Sequence, residues 1–288
     1  MGHSHHHHHH TNNLKLAFWL NLGFSILEFA GGLYSGSMAI LSDALHDFGD
    51  AIAIGSAYFL ERFSRKATSK TFTFGYRRFS LLSAVLNNTI LFLGSCFIVY
   101  KSIPMLANPG EVKSEAMFVF AIIGLAVNGF AMYKLSDHGG HLNQKTVFFH
   151  LMEDVLGWAA ILVGSVFIYY FGWYILDPIL SLLIAGFILY NASKNLFSTY
   201  KILMQAVPVG IDISVIKRKI QDIDPVVEVK DIRIWSMDGD YTLASIHVGV
   251  TGTISIEETE STKAIIREIL KEHHIDDSTI EVSSTKSL

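Results

Sequence analysis

Two segments of the chain repeat one spacing of metal-binding side chains. "LSDALHDFGD" (41–50) carries His46 and Asp50, and "HLMEDVLGW" (150–158) carries His150 and Asp154. A His and an Asp four residues apart stack on one helical face, about 6 Å apart along the axis. Two imidazoles and two carboxylates drawn from two helices make an N₂O₂ set. In number and type it suits tetrahedral Zn²⁺, and Co²⁺ or Cd²⁺ less selectively. Asp43 and Asp47 are also four apart, so spacing alone leaves that pair open as the contribution of the first segment. The plainer alternative is that these groups only hydrogen-bond to one another and to backbone across a helix bundle.

Both segments sit inside long apolar stretches, where each ionisable group costs about 2.5–3.5 kcal/mol at mid-membrane. A bound cation would offset the burial of the aspartates. Composition supports a membrane setting: half of the 288 residues are hydrophobic and 17% are charged, against about a quarter charged in soluble domains. The net charge of −4 offers nothing to a nucleic-acid partner. The single cysteine, Cys96, excludes an intrachain disulfide framework and a thiolate cluster. "MGHSHHHHHH" holds half of the fourteen histidines and reads either as an expression tag or as a natural metal-collecting tail.

Six segments have the roughly 20 apolar residues a spanning helix needs: Leu14–Tyr34, Met38–Leu60, Phe79–Tyr100, Met117–Leu135, Val147–Phe171 and Tyr174–Asn195. Basic residues cluster on alternate connections. Arg62, Arg65, Lys66, Lys70, Arg77 and Arg78 lie between spans two and three; Lys134 and Lys145 flank the connection of spans four and five; Lys194 and Lys201 follow span six. The positive-inside rule then places both termini in the cytoplasm. No cleavable signal peptide is evident, because the first apolar run is long enough to span.

After "QAVPVG" (205–210) the chain becomes charged and periodic. "DISVIKRKIQDI" reads as a helix, "VVEVKDIRIWSM" and "YTLASIHVGV" as strands joined by "DGD", "SIEETESTKAIIREILKEHH" as a second helix, and "DSTIEVSS" as a last strand. Ser255 with Glu258 three residues on is a capping-box pattern. The order α-β-β-α-β predicts a small α+β domain with helices on one face of a sheet. The domain reading is a His-rich tail over 1–13, a six-helix transport domain over 14–200 and a cytoplasmic domain over 208–288.

Taken together, the sequence resembles the cation diffusion facilitator family of bacterial metal exporters. The motifs that carry the resemblance are "SGSMAILSDALHDFGD", "FTFGYRRFSLLSA", "HLMEDVLGW", "DPILSLLIAGFIL" and "VKDIRIWSMDGDYTLASIHVGV", and it runs from about residue 14 to 283. It implies six membrane helices, a ferredoxin- or metallochaperone-like cytoplasmic domain, a homodimer, and export of divalent metal in exchange for protons. The family's transport ligands fall on His46, Asp50, His150 and Asp154, which selects His46–Asp50 over Asp43–Asp47. Imidazole in both pairs implies a zinc bias, with Cd²⁺, Co²⁺ or Fe²⁺ as other cargo. The resemblance also implies a regulatory metal site around His247, with His273, His274 and Asp277 as its other members. Arg233 and Tyr76 stand where many relatives carry histidine, so the tail site is reduced and a site in the second connection is doubtful.

Several other positions carry expectations. Glu28 and Asn21 lie in span one, where Glu28 serves a water pathway or helix pairing; Asn87 and Asn88 hydrogen-bond between helices, and Asp177 caps span six. Asp43 faces close to His46 on the helical wheel, and transient metal contact at the cavity mouth is the lesser of its two readings. His138 and His141 are solvated loop residues. The leading reading is a proton-coupled Zn²⁺ exporter in a bacterial inner membrane, with a lipid bilayer and a second copy of the chain as its partners and no small organic substrate. Rival readings are a metal sensor that does not transport, and an intramembrane zinc enzyme. The enzyme would keep three ligands and a nearby base, whereas Glu153 points about 100° from Asp154 on its helix and no His-Glu-x-x-His motif occurs.

Overall fold

Left-handed glycines punctuate the first part of the chain. Gly36 (φ +73°) separates α1 (His7–Ser35) from α2 (Met38–Ser64), and Gly172 (φ +66°) separates α5 (Leu142–Phe171) from α6 (Leu176–Leu203). Between them lie α3 (Phe79–Ala107) and α4 (Ser114–Ser136). The computed structural model describes residues 7–64, 68–136, 142–252 and 254–285; His138 and His141 lie outside them. Among the described residues, four helices are long and apolar enough to cross a bilayer, over Phe79–Ala107, Ser114–Tyr133, Leu151–Phe171 and Leu176–Leu203. α2 breaks its apolar run with Asp43, His46, Asp47 and Asp50, the positions singled out above.

The chain forms two units, residues 1–62 with 83–196, and residues 63–82 with 197–288. In the first, Ala39 and Ile40 of α2, Met117 and Ala121 of α4, and Trp158 and Ile161 of α5 make a buried core. It is sealed at the α1–α2 connection, where Lys113 N donates to Ser35 O at 2.9 Å. Large apolar side chains face outward all around the bundle, among them Leu93, Phe130 and Leu183 at 61%, 62% and 66% exposure. A surface this apolar suits lipid and not water.

α2 and α3 approach closely through two reciprocal notches. A Cβ at Gly49 of α2 would fall on Leu91 of α3, and a Cβ at Gly94 of α3 would fall on Leu45 of α2. Each leucine therefore occupies the space that the other helix's glycine leaves.

The second unit holds α7 (Ile213–Gln221), β1 (Val226–Ser236), β2 (Thr242–Val250), α8 (Ile256–Glu272) and β3 (Asp277–Ser284). The order α-β-β-α-β agrees with the periodicity of the sequence. The strands lie in the order β1-β2-β3; β1 pairs antiparallel with β2, and β3 parallel to β2. Ile216, Ile220, Ile266 and Leu270 of the helices pack on Ala244, Ile246, Val248 and Val250 of β2. Helix ends are capped as the sequence implied. Ser255 Oγ accepts from Glu258 N at 3.1 Å, and Glu258 Oε2 accepts from Ser255 N at 2.8 Å. Those bonds hold the Glu258 carboxyl below its ordinary range, and bonds from Ser214 do the same for Asp212, the cap of α7. Lys219 of α7 meets Glu272 of α8 at 3.0 Å and keeps that carboxyl low as well.

Candidate metal transport site

The helix period puts His46 and Asp50 on one face of α2, and that face meets α5 at Asp154. His46 Nε2 lies 4.0 Å from Asp50 Oδ2 and 3.9 Å from Asp154 Oδ1. Donors around a tetrahedral Zn²⁺, each about 2.0–2.1 Å from the metal, stand about 3.3 Å apart. The observed separations are thus slightly wider than a loaded site requires, and small rotamer changes would close them. Asp154 is buried, whereas His46 and Asp50 have side chains 21% and 25% exposed, so an ion can reach the cluster. His150 lies in α5 one turn before Asp154, and its side chain lies outside the described ones.

A second layer of acids adjoins the cluster. Glu28 of α1 and Asp43 and Asp47 of α2 are buried, and the charged neighbours of Glu28 are Asp47, Asp43 and Asp154. Neither Glu28 oxygen nor Asp43 Oδ2 has a hydrogen-bond partner among the described residues. Asp43 Oδ1 stands 3.6 Å from where a Cβ on Gly157 would be, one turn beyond Asp154 on α5. Spacing could not distinguish the Asp43–Asp47 pair from His46–Asp50; in the fold His46 stands 3.9 Å from Asp154, and Asp47 has Asp154 among its charged neighbours as well as Glu28 beside it.

Two hydrogen-bonding expectations need correction. Asp177 was expected to cap α6, but its carboxylate accepts from Ser37 Oγ, from Met38 N at 2.9 Å and from Ala39 N at 3.2 Å. It caps α2 from the start of α6, because the Ser37 turn presents three donors that a fully buried carboxylate needs. Sequence reasoning missed this because an Asp before Pro reads as a local cap. Asn88 donates to Ala84 O at 2.7 Å within α3, not to another helix.

The tail residues are also placed differently from expectation. His247 Nε2 lies 2.8 Å from Ser283 Oγ and 3.9 Å from Glu281 Oε1, and Asp231 is its ladder partner on β1. Asp277 instead pairs with Leu243, four positions along β2, or about 13 Å at the rise of a strand. His273 and His274 form the C-terminal turn of α8 next to Asp277. The four residues therefore do not gather in one chain, because the β2–β3 register sets His247 opposite Glu281, four positions along from Asp277. The sequence gives their types but not the strand register that separates them.

Comparison with known families agrees with this architecture. Residues 14–204 match the cation efflux transmembrane domain, and residues 208–284 match the cytoplasmic domain of cation efflux proteins. The chain belongs to the cation efflux family, a family of membrane metal transporters and not of enzymes. It is 33% identical to the cadmium, cobalt and zinc/H(+)-K(+) antiporter of Bacillus subtilis, over 96% of this chain and 88% of that protein. It is 30% identical to the metal cation efflux system protein CzcD of Cupriavidus metallidurans, over 86% and 79% of the two chains. The zinc transporter ZitB of Escherichia coli is 32% identical over 87% and 83%.

Proposed function

We propose that the protein exports divalent metal, Zn²⁺ above others, across a bacterial inner membrane in exchange for protons. The observation that carries this reading is the approach of His46 Nε2 to Asp50 Oδ2 of α2, at 4.0 Å, and to Asp154 Oδ1 of α5, at 3.9 Å. His150, one turn before Asp154 on α5, is the fourth ligand of a tetrahedral His₂Asp₂ set. Cd²⁺ and Co²⁺, named for the relatives, fit the same donors less selectively.

Metal requires neutral imidazole and ionised carboxylate, so protons compete for the same atoms. Imidazole changes charge near ambient pH, which suits exchange of one cation for another. Alternating access then follows if the helices carrying the ligands open the site to one side of the membrane at a time. The basic residues between α2 and α3 and after α6 support an orientation with both termini in the cytoplasm. The chain works as a homodimer. His247 is the tail's remaining metal-binding group, with Ser283 and Glu281 beside it and further ligands drawn from the second copy.

Uptake into proteoliposomes tests the reading. Zn²⁺, Cd²⁺ and Co²⁺ are offered with and without an imposed pH gradient. Zn²⁺ flux that rises with the gradient is expected. Metal binding without flux would favour the sensor reading, and flux indifferent to pH would remove the proton.

A further inference from the structure

The connection from α2 to α3 sets two arginines side by side and employs them differently. Arg77 is engaged: its Nη1 lies 3.4 Å from Asp238 Oδ2, and its guanidinium stands 4.2 Å over the ring of Tyr241. Arg78 has no acidic partner among the described residues and lines a cavity of about 420 Å³. Its other walls include Phe72, Phe74, Tyr76, Phe79 and Trp235. Phe72 and Phe74 are 43% and 54% exposed. Rings left this open beside an unpaired guanidinium suit a ligand with an anionic head and an apolar body.

Chain continuity says where such a ligand comes from. Phe79 is both a wall of the cavity and the first residue of the apolar span Phe79–Ala107. The cavity therefore adjoins the end of that span, where a chain passes between bilayer and water, and its remaining walls come from the connection before α3 and from Gln205, Trp235, Met237 and Leu243. Aromatic rings favour this interfacial level, and basic pockets on the cytoplasmic side hold anionic headgroups. Guanidinium matches phosphate in shape and charge.

We propose that this cavity binds one anionic phospholipid, with its phosphate on Arg78 and its glycerol and first methylenes against the Phe72, Phe74 and Phe79 rings. The inference rests on the membrane placement of α3 and not on which metal is carried, so its test reads lipid and not flux.

The full-length protein in neutral detergent is offered phosphatidylglycerol, phosphatidylcholine or soluble glycerol phosphate, and bound molecules are counted by native mass spectrometry. Phosphatidylglycerol is expected to be retained over phosphatidylcholine, with glycerol phosphate alone not retained. Arg78→Gln should lower phosphatidylglycerol retention about fivefold, the weight of one basic group at an anionic surface. Phe74→Ser, at an exposed position that the fold does not need, should lower it as well. Arg267→Gln makes the same charge change on the exposed face of α8 and should leave retention unchanged. Equal retention of the two lipids overturns the proposal, as does an equal loss in Arg78→Gln and Arg267→Gln. Displacement of the lipid by glycerol phosphate at equal concentration overturns the lipid assignment in favour of a soluble phosphate ligand.

Discussion

In the cytoplasmic domain, His273 Nε2 is the one buried side-chain polar atom without a partner among the described residues. In the helix bundle Glu28, Ser42, Asp43, Asn87, Ser95 and the indole nitrogen of Trp158 all lack one. The cytoplasmic domain couples dense apolar packing to closed caps, as a fold with one resting arrangement does. A bundle that alternates between two packings cannot give every polar group its best partner in both. The two regions therefore differ in how fully their polar groups are satisfied: the tail closes nearly all of them, and the bundle leaves several buried ones open.

If that contrast is right, the largest effects of mutation belong to transport in the bundle. Asp50→Ala and Asp154→Ala should each reduce Zn²⁺ flux in proteoliposomes at least about a hundredfold, because a charged ligand leaves a four-donor site. Both variants should remain inserted and monodisperse. Asp47→Ala should cost much less; if it stops flux while Asp50→Ala does not, the ligand face of α2 has been misassigned. Next in size, His46→Asp should shift a metal competition assay from Zn²⁺ toward Cd²⁺ or Mn²⁺, since an added carboxylate is the harder donor. An unchanged ranking counts against His46 as a ligand.

Smaller effects read stability. Asp177→Ala should destabilise the bundle by about 2 kcal/mol, seen as a lower melting temperature in detergent, and Asp177→Asn should recover part of it because Asn also caps. In the tail, a fragment of residues 208–288 should unfold cooperatively in urea, and Ser255→Ala should lower its stability by about 1 kcal/mol. The smallest effect is a pH dependence. Bonds from Ser255 hold Glu258 below its ordinary value of 4.5. Its contribution is complete above that pH and is lost as pH falls through the lower folded value. Glu258→Gln should therefore be less stable than wild type at neutral pH, and the gap should close on acidification below 4.5. A gap that widens in acid would show that the capping box is not its source.

Much of this was legible in the sequence. Alternation and amphipathic period outlined β1, β2, α7 and α8, because each has one face on a core and one in solvent. The His46/Asp50 spacing placed two donors on one face, since helix geometry converts spacing into direction. What the sequence could not show depends on neighbours distant in the chain. Asp177 caps α2 across 138 to 140 residues of sequence. Whether Asp47 or His46 faces α5 depends on how the helices are rotated against each other. The separation of His247 from Asp277 depends on the register of a parallel pair, for which no turn between the two strands fixes the alignment.

The paired notches of α2 and α3 act as a detent. Leu91 seated at Gly49 and Leu45 seated at Gly94 bar the two helices from sliding along each other, in either direction, without a leucine riding up onto backbone. Gly49 lies between His46 and Asp50 in sequence, so these candidate ligands on α2 keep a fixed register with α3. A movement that separated α2 from α3 would have to lift both leucines out of their notches.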